Sequence, residues 1–187
     1  MTKLFARAVL PLVAGSLLLA GCTGTQAGTA SPASSSSPSS GSSEAPSTSA
    51  GTASTASMDP CELLTSADVT SFGQFKPAEK TELAGARSCR YLKNLQSASD
   101  ESLSLGVGIR DSQSIDTVND AGGGTTAGNV NGRKAVEAPS PPAGCTLALA
   151  VGSAARVDVV VTSTDATKAC DIATQVADKV EPKLPKG

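Results

Sequence analysis

The stretch CTLALAVGSAARVDVVVTSTDATKACDIATQVADKV, residues 145–180, reads in order as strand, turn, strand and helix. Cys145–Val151 and Arg156–Thr162 are rich in aliphatic and β-branched residues, and Gly152-Ser153 between them suits a hairpin turn. Asp158 alternates with Val157 and Val159, so the period of two aims it at solvent beside Arg156. Thr164 or Asp165 then caps a helix in which Ala169, Ile172, Ala173, Val176 and Val180 recur at helical spacing as one core-facing stripe. Pro182 and Pro185 end it. A sheet with one apolar face and a helix with one apolar stripe bury each other, so the chain belongs to the α+β class.

Working back toward the N-terminus, Asn131-Gly132 is a favoured pair for a type I′ turn and joins Thr125–Val130 to Arg133–Ala138. Pro139, Pro141 and Pro142 break the chain after it. Leu103, Leu105, Val107 and Ile109 alternate with small or polar residues as in a half-buried strand, and Cys89–Leu95 suits another. Between Ile109 and Thr125, Ser112 caps a short helix through Ile115 and Val118, stopped by Ala121-Gly122-Gly123-Gly124. Asp59-Pro60 opens a helix with a carboxylate N-cap and proline at the first helical position. Thr65-x-x-Asp68 restarts it until Gly73. The expected architecture is a single α+β domain over 58–187, an antiparallel sheet with N-terminal, middle and C-terminal helices packed on it.

Upstream the composition changes. Lys3 and Arg7 precede an apolar segment, Ala8 to Ala20, which is too short for a lasting membrane span and reads as a secretory signal over residues 1–21. Residues 22–57 hold Cys22 and a run of Ser, Thr, Ala, Gly and Pro whose only charge is Glu44. Such a run buries too little apolar surface to offset its ordering entropy, so it is expected to be a disordered tether. Leu19-Ala20-Gly21-Cys22 resembles the lipobox of bacterial lipoproteins. That resemblance implies cleavage after Gly21, acylation of Cys22, and anchoring in the cell membrane on its extracytoplasmic face.

Cys61, Cys89, Cys145 and Cys170 remain, an even count that in an exported domain reads as disulfides. Three connectivities are open; the expected one is Cys61–Cys89 with Cys145–Cys170, each closing a loop of about 25–30 residues and contributing about 3–4 kcal/mol in the chain-entropy model. Staples suit a core whose only aromatics are Phe72, Phe75 and Tyr91. A zinc site from the four cysteines does not suit their wide spacing.

The opening Asp59-Pro60-Cys61-x-Leu63-Leu64-Thr65-x-x-Asp68 and Cys89-Arg90-Tyr91 resemble DUF3558, a family of uncharacterised actinobacterial lipoproteins. Val130-x-Gly132-Arg133-x-Ala135, Gly144-Cys145 and the helix bearing Cys170 fit the same pattern. Tyr91 stands where that family commonly has tryptophan, which weakens any aromatic platform. The resemblance implies fold and location and carries no reaction.

The chain has no histidine, which excludes Ser-His-Asp and Cys-His catalysis and histidine-dependent metal sites. Asp100-Glu101 lies in a polar loop, and Asp171, Asp178 and Glu181 lie off the apolar stripe of the last helix, where solvated charge is expected. The Gly122–Gly124 run fits neither phosphate-binding pattern and reads as a flexible loop. Among Arg87, Arg90 and Arg133-Lys134, Arg90 is expected near Asp59 or Asp68 if a Cys61–Cys89 bridge pins the first helix. A net charge of −2 with mixed signs and few aromatics disfavours nucleic acid as a partner. The expectation is a non-catalytic, membrane-anchored envelope module without cofactor or metal, binding a lipid or cell-wall ligand or a partner protein. The alternative is an envelope hydrolase using carboxylates or a Ser-Lys pair. A pocket between sheet and helices lined by small aliphatics would favour the lipid; an exposed apolar patch would favour the protein.

Overall fold

The computed structural model describes residues 54–186. The expected signal, the acylated Cys22 and most of the tether fall outside the described residues. The described residues fall in one compact unit, and the core and both disulfides lie within it.

Seven strands build one antiparallel sheet: β1 Glu79–Leu83, β2 Ala86–Leu92, β3 Ser104–Arg110, β4 Thr126–Val130, β5 Arg133–Ser140, β6 Gly144–Val151 and β7 Ala155–Thr162, in the order β1-β2-β3-β7-β6-β5-β4. Short helices α1, Pro60–Leu63, and α2, Ser66–Val69, precede the strands, and α3, Ala166–Val180, follows them. The register places Leu105, Val107 and Ile109 of β3 opposite Val161, Val159 and Val157 of β7, all essentially unexposed. Side chains two apart share a sheet face, so these residues make one continuous apolar floor. On it lies α3, whose Ala169, Ala173, Val176, Ala177 and Val180 are each 0 % exposed. Alanine at this contact lets the helix approach the sheet closely, which suits a core poor in large side chains.

The local signals work as their chemistry predicts. Asp59 Oδ1 accepts from the Cys61 N–H at 2.9 Å. The Thr65 N–H donates to Asp68 Oδ2 at 2.8 Å and the Asp68 N–H returns to Thr65 Oγ1 at 3.4 Å, a closed capping box. Of the two candidates for the last helix, Asp165 is the cap, accepting from the Lys168 N–H at 2.8 Å. Asn131 and Gly132 both take positive φ, 50° and 88°, as a type I′ turn demands. Cys61–Cys89 joins α1 to β2 and Cys145–Cys170 joins β6 to α3, each with Cα atoms 5.1 Å apart.

Four details differ from the sequence reading. β1 has no apolar alternation, because Glu79, Lys80 and Glu82 are charged, Leu83 is exposed and Thr81 is only half-buried; it forms by pairing with β2 through the Ala84-Gly85 turn. The strand expected at Cys89–Leu95 runs Ala86–Leu92. The middle helix is one 3-10 turn, Ile115–Thr117, with no side-chain cap. Finally, β5 continues through Pro139 to Ser140. Its pairing with β4 ends at Glu137, so Pro139 sits where β5 is locally an edge and a missing N–H is tolerated.

Packing also begins earlier than Met58. Thr55 is buried, its hydroxyl donates to Asp111 Oδ1 at 2.6 Å, and Arg87 donates to the carbonyls of Met58 and Thr55 at 2.6 and 2.8 Å. The last residues assigned to the tether therefore belong to the packed unit.

Candidate functional site

The space between sheet and helices is filled by the core, and the apolar groove lies on the opposite sheet face. Ser104, Gly106, Gly108 and Arg110 of β3 point to that face, as do Ala86, Ser88 and Arg90 of β2 and Arg156, Asp158 and Val160 of β7. Residues 111–125, linking β3 to β4, cross the β6–β5 half of this face. Ile115 is buried there, and Arg156 Nη1 donates to the Ser114 carbonyl at 2.8 Å and to Thr117 Oγ1 at 2.6 Å. Ala138 and Ala148 of the open face are buried in consequence.

The β1–β2–β3–β7 half stays uncovered. It carries a groove of about 320 Å³. Gly106 and Gly108 form its floor, and Leu83, Ala86 and Val160 line it, Leu83 and Val160 being 69 % and 43 % exposed. Its depth comes from the missing side chain of Gly106; over Gly108, Ser88 Oγ and the Ala86 methyl already lie 3.1 and 3.2 Å from where a Cβ would stand. A Cβ on Gly106 would stand 3.5 Å from the Cys89 carbonyl oxygen, an ordinary contact, so Gly106 leaves room that a larger residue would occupy.

Arg110 and Asp158 close one end of the groove. Asp158 is the main correction to the sequence reading: it is 4 % exposed, not solvated. Its Oδ2 accepts from Arg110 Nε at 2.5 Å and its Oδ1 from Arg156 Nε at 2.8 Å. The alternation assigned the correct face, but the arginine stems and the crossing segment roof that face here.

The other singled-out groups stand apart from the groove or serve the fold. Arg90 pairs with Glu79 across β1 and β2 at 2.8 Å, not with Asp59 or Asp68. Those two go to Lys80 at 2.5 Å and Lys183 at 2.7 Å, because β1 and the C-terminal turn bring lysines to them. Burial works to raise the Asp68 carboxyl, yet hydrogen bonds from Lys183 and Thr65 hold it at about 2. The hydrogen bond from Arg87 holds Asp111 below the ordinary carboxylate value. Arg133 pairs with Glu181 at 3.0 Å and donates to the carbonyls of Ala150 and Pro185, tying the end of α3 to the sheet. Lys134 pairs with Asp116 of the crossing segment at 2.6 Å. Asp100 accepts from the Gln96 and Ser97 N–H groups, Glu101 pairs with Lys168, and Asp171 and Asp178 are exposed on α3. In the glycine-rich loop, the N–H groups of Gly122 and Gly124 both donate to Asp120, which occupies the place an anion would take.

Tyr91 is buried and donates to the Leu64 carbonyl at 2.7 Å, so its ring is core. Glu137 lies within 4.8 Å of the sulfurs of Cys145 and Cys170, but both sulfurs are in a disulfide and offer no thiolate. Among the described residues, no helix is long and apolar enough to cross a membrane.

The groove was not foreseen from the sequence. Its signal is Gly106-x-Gly108-x-Arg110, two absent side chains and a cation at strand period on one face.

A family model described as a protein of unknown function, DUF3558, matches residues 17–183. No curated protein and no solved structure matches the chain.

Proposed function

Since the chain belongs to the DUF3558 family, we propose that it is a lipid-anchored lipoprotein of the cell envelope. In this reading its folded unit is a non-catalytic binding module that takes an apolar ligand along the uncovered half of the sheet. The observation that carries the binding role is the groove floored by Gly106 and Gly108 and lined by Leu83, Ala86 and Val160. Its volume of about 320 Å³ lies at the small end of the range for small-molecule sites. The Leu19-Ala20-Gly21-Cys22 run supports the anchor, and two bridges suit an oxidising compartment. The hydrolase alternative finds less support: both oxygens of Asp158 are held by guanidinium groups, and Asp171 and Asp178 are exposed on α3.

Native mass spectrometry of residues 47–187, exported by an actinobacterial host, tests the binding role. A retained adduct of lipid mass is the expected result. A clean mass together with no uptake of added lipid would overturn it in favour of capture of a protein. The anchor is tested separately: Cys22→Ser should move the full-length protein from the membrane to the soluble fraction, and retention in the membrane would overturn that part.

A further inference from the structure

Resting on the reading of the groove as an apolar-ligand site, we propose that its occupant is a single-chain anionic amphiphile, with its carboxylate seated at Arg110. The two arginines at this end use their donors differently. Arg156 gives Nε to Asp158, Nη1 to Ser114 and Thr117, and Nη2 to Gln113, so the crossing segment consumes it. Arg110 gives Nε to Asp158 and Nη1 to the carbonyl of Ala84 and to Gln113. Its Nη2 has no hydrogen-bond partner among the described residues. No buried side-chain nitrogen or oxygen of those residues lacks a partner, so this Nη2 reaches solvent, on a residue that lines the groove.

Charge points the same way. Two guanidinium groups share the single carboxylate of Asp158, leaving one positive charge in excess at this end. Along the rim, Arg90 is neutralised by Glu79, and the residues beyond it, Ser104 and Thr146, carry no charge. The groove is thus mostly apolar, broken by the neutral hydroxyls of Thr81 and Ser88, and cationic at one end, a polarity that matches a chain with one anionic head. A charge-assisted bond from a half-shielded guanidinium is stronger than the bond an alcohol makes there. A volume of about 320 Å³ suits a single chain.

Titration of residues 47–187 with oleate and with oleyl alcohol, followed by native mass spectrometry and fluorescence displacement, tests this. Oleate should bind one per chain and at least about tenfold more tightly than the alcohol, a difference that added salt narrows by weakening oleate alone. Arg110→Gln should remove the preference, and Arg110→Lys, which keeps the charge, should retain it. Gly106→Val, whose Cβ meets only ordinary contacts, should block both probes in a folded protein. Equal affinity for the two probes, with Gly106→Val blocking both, would overturn the anionic head and leave the groove reading standing. Failure of both to bind, or binding indifferent to Gly106→Val, would overturn the groove reading and the proposal with it.

Discussion

Asp158 illustrates how much one side chain depends on its surroundings. In a strand read by alternation it is a surface charge; in the fold it is held between Arg110 and Arg156 with its side chain 5 % exposed. Removing its charge leaves two guanidinium groups facing each other in a largely dehydrated site. Asp158→Asn is therefore expected to lower stability by about 3 kcal/mol in denaturant unfolding, roughly 10 °C in Tm for a domain of this size. A loss within experimental error would mean that water screens the cluster. Asp68 behaves differently, because its partner Lys183 is more open to solvent. Its carboxyl is held at about 2, below the unfolded value near 3.8. A depressed carboxyl stabilises the fold above its unfolded value, and that contribution disappears as pH falls from about 4 to 2. Asp68→Asn should cost about 1–2 kcal/mol at pH 7, allowing for solvent screening, and nearly nothing at pH 2. Urea titrations of both proteins at the two pH values check this, and a pH-independent gap would refute the ion-pair origin.

At the scale of elements, the helices are attached to the sheet by different means. Cys61–Cys89 holds α1 on β2, and Cys145–Cys170 holds α3 on β6, across separations of 28 and 25 residues. Bridges of that span contribute about 3 kcal/mol each, so reductant should lower Tm by well over 10 °C. The expected result of Cys145→Ser with Cys170→Ser is about half of that fall. An unchanged Tm on full reduction, with free thiols verified by labelling, would show that packing alone holds the helices. The crossing segment has no such staple: Ile115 and the bonds from Arg156 hold it against β6 and β5. Ile115→Ala should cost about 2 kcal/mol and expose the amides of residues 111–125 to faster hydrogen exchange, with β6 and β7 still protected.

For the whole molecule, the packed unit extends back at least to Thr55, which joins Arg87 and Asp111. Chains beginning at Ser54 and at Met58 should therefore differ, the shorter being less stable by about 1–2 kcal/mol because Arg87 and Asp111 lose buried partners. Equal unfolding midpoints would place the functional boundary at Met58 after all. The sequence was sufficient wherever the cause is local or periodic. Asp59-Pro60, Thr65 with Asp68, and Asn131-Gly132 act within a few residues, and the Val157, Val159 and Val161 repeat needs no knowledge of its partner strand. The α+β class and the antiparallel sheet followed from these, and the disulfide pairing was among the arrangements they allowed. β1 could not be seen, since Glu79, Lys80, Thr81 and Glu82 form a strand only because β2 offers them an edge. The Gly106-x-Gly108-x-Arg110 pattern does not by itself give the groove, because which half of a sheet face stays open depends on where residues 111–125 cross. Local signals survive in any tertiary context, whereas exposure, ion pairing and cavities are sums over residues far apart in the chain. Only the folded molecule decides those.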